Sequence, residues 1–272
     1  MTMDPYDFVR GSVPIEKRIN VRKTLANYRS DPLYAFIDKL EGYHSIKVIE
    51  DHISMYQHAY SWYYLSLERF LPAMSLAIRW YKGPYWALRE GRTYTESERK
   101  LAAKYTQVAR YLYLDFYNCL LYARIVLDKV AGLTRLFLTQ GNRPSFTSFN
   151  DHKKFFKKQT APYGEHEEYA EYVRGNTEWF DTPLKEVRDH FIVHASPRHL
   201  RIFGYPMGYN ELALLINVHI PVEPSRRSAP LRQVQYIRVS IPRLAEQMHE
   251  FLSWFNEYAL RKTQLDSKRP VA

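Results

Sequence analysis

The residues of this 272-residue chain best suited to chemistry lie in one segment, Leu184-Lys185-Glu186-Val187-Arg188-Asp189-His190-Phe191-Ile192-Val193-His194. Asp181-Thr182-Pro183 reads as an N-cap followed by a first-turn proline, opening a helix that Pro197 stops. On a wheel of about 100° per residue, Leu184, Val187, Phe191, Ile192 and Ala195 form an apolar stripe, with Arg188 inside its arc and His194 at one edge. An arginine in an apolar arc needs a counter-group. That group is either a carboxylate, which makes the arginine structural, or a ligand phosphate, which the guanidinium fork fits. His194 falls in the last turn, where the negative end of the helix dipole favours the imidazolium and suits a general acid. His190 and His194 stand one turn apart with Glu186 a further turn back, a metal-binding spacing without an evident set of further ligands. Solvated histidines are the simpler reading, and no metal is expected.

Other chemistries have no foothold. The chain holds no glycine-rich phosphate or dinucleotide loop, no HExxH, no GxSxG and no acidic calcium loop. Its one cysteine, Cys119, excludes an internal disulfide framework and a thiolate zinc site, and its apolar surroundings mark it as a small buried hydrophobe. A second arginine and histidine at similar spacing, Arg243 and His249, has its arginine in the first turn of a helix and its histidine mid-helix. The first pair is preferred for its place at a helix C-terminus and for Asp189.

Arg188-Asp189-x-x-x-x-His194 resembles the R-x4-6-H motif of the HEPN superfamily, including the polar residue after the arginine. The preceding long helix, with Leu114-Asp115-Phe116-Tyr117 and Ala123-Arg124-Ile125-Val126-Leu127-Asp128-Lys129, is similar to the earlier core helices of HEPN-like proteins. The resemblance covers roughly residues 45 to 260 and implies a helical bundle. Many members are metal-independent endoribonucleases of toxin or defence type, working as homodimers with the motifs facing across a cleft. By that resemblance His194 carries the proton transfers, Arg188 the phosphate charge, and Asp189 orients one of them, with RNA as substrate and no cofactor. It also allows an antitoxin or nucleotidyltransferase partner. On an unbroken helix Arg188 and His194 lie about 120° apart around the axis, so convergence on one phosphate calls for either a frayed last turn or a second protomer, and the resemblance implies the second protomer. The alternative is a catalytically inactive HEPN-like module that binds RNA, a nucleotide or a protein. A third reading is a helical metalloprotein using Glu186, His190, His194, Glu246 and His249.

Charge agrees with a polyanionic partner. Lys and Arg number 39 against 29 Asp and Glu, a formal charge of +10. The run Lys153-Lys154-Phe155-Phe156-Lys157-Lys158 and the pair Arg226-Arg227 are the expected RNA-binding extension, although charge runs are commonly just solvated faces. Asp115 and Asp128 read as helix-pairing acids, with Arg124 and Asp128 at ion-pair spacing, and the 23 tyrosines as packing residues.

The elements that must hold this segment are mainly helical. Helical spacing runs from about Ile46 to Trp80, with Pro72 bending or dividing it and Gly83-Pro84 closing it. Thr95-Glu96-Ser97-Glu98 is a capping box before a helix to about Leu138, with a break allowed near Tyr105 or Gly132. Short helices are expected over Ser145 to Lys158 and Glu165 to Arg174. Period-two segments at Leu200 to Tyr205, Leu212 to Ile220 and Val234 to Ile241 then predict an antiparallel β meander. Ser240 and Pro242 open a last amphipathic helix. The expectation is a mainly α, HEPN-like helical bundle with a small three-stranded antiparallel β insertion before the last helix. Residues 1–30 form a polar arm, 31–264 one domain with the insertion at about 199–241, and 265–272 a basic tail. With no apolar run of membrane-spanning length and Asp4, Asp7 and Arg10 near the start, a soluble cytoplasmic protein without a membrane partner is expected.

Overall fold

The computed structural model describes residues 47–134, 146–158, 167–181, 184–185, 201–206, 212–219 and 234–266. These are mainly helical. The α-helices are α1 (Lys47–Trp80), α2 (Trp86–Arg89), α3 (Glu96–Leu133), α4 (Phe149–Lys157), α5 (Glu167–Asn176) and α6 (Ile241–Asp266). A π turn, Tyr81–Tyr85, joins α1 to α2, and a 3-10 turn, Glu178–Phe180, follows α5. Strands β1 (Arg201–Pro206), β2 (Leu212–His219) and β3 (Val234–Val239) form an antiparallel sheet in the order β1-β2-β3. Its register places Ile202 opposite Ile216, and Ile216 opposite Ile237.

The described residues fall into two compact units: unit 1 takes those within 66–120 and 182–244, and unit 2 those within 47–65, 121–181 and 245–266. In unit 1, α1 and α3 run antiparallel. Arg69 pairs with Asp115 at 3.3 Å, Phe70 meets Phe116, and Trp80 stacks on Tyr105 with centroids 4.4 Å apart. In unit 2 the same two helices are again antiparallel, with Trp62 stacked on Tyr122 and the Lys129 ammonium 3.3 Å from the Met55 sulfur.

The cause is a repeat. On α3, Leu112, Phe116, Cys119, Ala123, Val126, Val130 and Leu133 are all buried and recur at alternating steps of four and three. On α1, Tyr56, Tyr63, Phe70 and Ala77 recur every seven residues, and all are buried. This is the seam that two antiparallel helices share.

Thr95 and Glu98 form the expected capping box: the Glu98 amide donates to Thr95 Oγ1 and the Thr95 amide to Glu98 Oε2 at 2.8 Å. The helix it opens continues without a break for 38 residues. Pro72 lies inside α1 without dividing it. Its missing N–H forfeits one helical bond, and the burial of Phe70, Leu71 and Met74 around it holds the helix together.

Gly83-Pro84 does not close the run. The chain widens into the π turn there and stops only at Gly91, whose φ is +67°. At that point the Arg92 amide donates to the Ala87 carbonyl and the Gly91 amide to Leu88, the paired bonds of a glycine-terminated helix. Rings explain the continuation, because Trp80 packs against Tyr81 and Tyr85, and Tyr85 against Trp86, across the turn.

The last helix starts as expected, with Ser240 Oγ accepting from the Arg243 amide at 3.4 Å. It runs to Asp266, two residues into the expected tail. The expected arm, residues 1–30, lies outside the described residues.

Candidate functional site

Arg188, Asp189 and His194 lie outside the described residues, as do Glu186, His190, Arg226 and Arg227. The described residues that precede this segment in the chain belong to a separate cluster. It is built by α4, α5 and the 3-10 turn of unit 2.

Helix α4 begins where Ser148, extended at φ −144°, turns its Oγ to accept from the Asp151 amide at 3.2 Å. The Phe149 amide, left without an intrahelical acceptor, donates to Asp128 Oδ1 at 2.7 Å. Asp128 also pairs with Arg124 at 3.1 Å, the expected i,i+4 contact, and the Arg124 guanidinium lies 4.6 Å from the centre of the Phe180 ring. Asp128 is therefore the helix-pairing acid its spacing suggested, and it positions α4 as well.

The inner face of α4 buries Phe149, His152, Lys153 and Phe156. His152 sits among Phe146, Phe149, Phe156 and Tyr169, with ring centroids 4.8 to 5.6 Å away. Its Nε2 shares a 2.8 Å hydrogen bond with the Tyr169 hydroxyl, and its buried Nδ1 has no partner among the described residues. Burial lowers its pKa to about 3, so the imidazole is neutral at physiological pH.

Lys153 departs from the expected RNA-binding role. Its side chain is 3 % exposed, and its ammonium donates to the Thr177 carbonyl at 2.6 Å and to Asp181 Oδ2 at 2.7 Å. Burial lowers its pKa, and Asp181 acts in the opposite direction. A lysine on the apolar face of an amphipathic helix is drawn inward with its stem, and its charge then requires a carboxylate.

The same contact revises Asp181. An N-cap has extended dihedrals and spends its carboxylate on nearby amides; Asp181 is helical, at φ −65° and ψ −45°, and spends it on Lys153. Sequence reasoning missed this clamp. The available signal was the position of Lys153 one residue from His152 and three from Phe156 on an otherwise apolar face.

Lys154, Lys157 and Lys158 are exposed at the end of α4. Lys157 Nζ stands 3.9 Å from Asp181 Oδ2.

Elsewhere, Asp115 is buried, and its pKa is raised by that burial and pulled back by Arg69. Burial, with Asp115 adding to it, pushes the Cys119 thiol well above its ordinary value, so it is the inert hydrophobe expected. Arg243 is exposed and His249 half-buried. Among the described residues no three His, Cys, Asp or Glu side chains cluster as a metal site, and no described helix is long and apolar enough to cross a membrane.

Comparison with family models, curated proteins and solved structures returns no match to this chain. Nothing in those comparisons assigns it to a family.

Proposed function

We propose that this chain is a HEPN-like, metal-independent endoribonuclease that acts through Arg188, Asp189 and His194 as a homodimer. The observation that supports the reading is the Arg188-Asp189-x-x-x-x-His194 motif in a chain of net charge +10, with Lys154, Lys157 and Lys158 exposed at the end of α4. Asp181, seven residues before Arg188, is held by buried Lys153 and lies 3.9 Å from the exposed ammonium of Lys157. Exposed cations favour a polyanionic substrate because each one near the strand releases a condensed counterion on binding.

In the proposed reaction the 2′-hydroxyl loses its proton to a base, and its oxygen attacks the adjacent phosphorus. The bond from phosphorus to the 5′-oxygen breaks, and an acid protonates the leaving oxygen. The products are a 2′,3′-cyclic phosphate and a 5′-hydroxyl. His194 imidazoles supply base and acid, Arg188 stabilises the charge that builds on the phosphoryl oxygens, and Asp189 orients one of the two.

The test is incubation of RNA in EDTA with wild type, Arg188→Ala and His194→Ala. Cleavage that resists the chelator, leaves cyclic phosphate ends and disappears in both variants supports the proposal. RNA binding without cleavage in the wild type moves the assignment to a catalytically inactive RNA-binding module. Cleavage that requires metal overturns it.

A further inference from the structure

Unit 2 carries a second feature that the ribonuclease reading does not use. A pocket of about 290 Å³ opens between α5, the 3-10 turn and α6. Tyr172, Trp179, Phe251, Glu178 and Glu250 are among the residues that line it. Phe251 is buried, and its ring centroid is 6.3 Å from those of both Tyr172 and Trp179.

The walls are fixed before any ligand arrives. Tyr172 stacks flat on Trp254 at 3.7 Å, and the Trp179 indole N–H donates to the Asn176 carbonyl at 2.7 Å. Glu178 and Glu250 are exposed, and neither has an ion-pair partner among the described residues. Lys153 feels the charge of Glu178, but its ammonium is already committed to Asp181 and Thr177. In a chain of net charge +10, two carboxylates at one pocket without an ion-pair partner among the described residues run against the overall balance.

We propose that this pocket binds a guanidinium group. A planar cation stacks on aromatic rings and offers its N–H fork to carboxylates, which a compact ammonium does less well. A phosphate would be repelled by both acids, and the volume suits a side-chain-sized group, being at the lower end for small-molecule sites. The site is therefore separate in chemistry from the RNA-directed one, and the proposal does not rest on the ribonuclease activity.

The test follows the indole N–H resonance of Trp179, identified by its loss in Trp179→Phe, while the full chain is titrated with agmatine or with the amide-capped peptide Gly-Arg-Gly. A saturable shift with at least one of them is expected, with no shift from the uncharged isostere n-butylurea. The double variant Glu178→Gln with Glu250→Gln changes only exposed side chains and should weaken binding by about tenfold or more. Tighter binding of agmatine assigns a free metabolite as the source of the guanidinium, and tighter binding of the peptide assigns an arginine side chain of a partner. No saturable shift at millimolar concentration, an equal response to n-butylurea or to n-butylamine, or unchanged affinity in the double variant overturns the proposal.

Discussion

Acid should destabilise unit 2 through His152. In the folded chain its imidazole is fully buried among four aromatic rings, has one hydrogen bond and titrates at about 3; in the unfolded chain it returns to about 6.5. Between those values the unfolded state holds a proton that the folded state does not. Stability therefore falls as pH drops below about 6.5, and the effect is complete near pH 3. Each unit is worth about 1.4 kcal/mol, so lowering the pH from about 6.5 to about 4.5 removes about 3 kcal/mol, and the whole window about 5 kcal/mol. A loss of that size is a large part of the stability of an ordinary domain.

The assay is urea denaturation at pH 7 and pH 4.5 for the wild type and His152→Phe, which leaves a ring of similar size that does not titrate. The absolute stability of the variant is immaterial. What matters is the difference between the two pH values, which should be smaller in the variant by about 3 kcal/mol. Equal differences in the two proteins, or a folded-state NMR titration of His152 near its ordinary value, would refute the reasoning.

Two further outcomes follow from the clamp and the cap. Lys153→Met should cost about 1–3 kcal/mol in thermal or urea denaturation, because the buried Thr177 carbonyl loses its donor. Under the proposed RNA-binding reading it should leave the salt dependence of that binding unchanged, whereas Lys154→Ala should reduce the slope of log affinity against log salt by about 1; the reverse pattern would place Lys153 on the RNA surface. Glu98 is held at about 2, chiefly by its bonds to Arg92 and then by the Thr95 amide, so the stabilisation of the α3 N-terminus is present above about pH 4.5 and lost as pH falls toward 2. Glu98→Gln should show a smaller fall in Tm between pH 5 and pH 3 than the wild type, and an identical fall would remove Glu98 from the acid response.

Local chemistry was legible at several places where a residue's partner lies within a few positions along the chain. The Thr95–Glu98 capping box, the Arg124–Asp128 pair and the Ser240 helix start are all of this kind, and the structure contains each. The buried stripe of α3 was legible for a related reason: a repeat of three and four residues returns each side chain to the same face of the helix. Gly83-Pro84 was misread because both residues weaken a regular helix, while the rings of Trp80, Tyr81, Tyr85 and Trp86 that carry the chain past them act through packing.

Of the candidate site, the sequence supplied Arg188, Asp189 and His194, which lie outside the described residues, and the tertiary structure decided the role of Lys153. Lys153 and Asp181 are 28 residues apart, and no local pattern distinguishes a lysine that reaches solvent from one that reaches Asp181. Likewise, Tyr172, Trp179 and Phe251 read as three unrelated aromatics until α5 and α6 bring them to one pocket. The sequence by itself determined most of the described helices, the caps at Thr95 and Ser240 and the spacing of Arg188 and His194, since these depend on backbone periodicity and near neighbours. Which charges are buried, which stay exposed and which rings share a cavity was decided only by the tertiary structure, because desolvation and pairing depend on residues that folding brings together from distant parts of the chain.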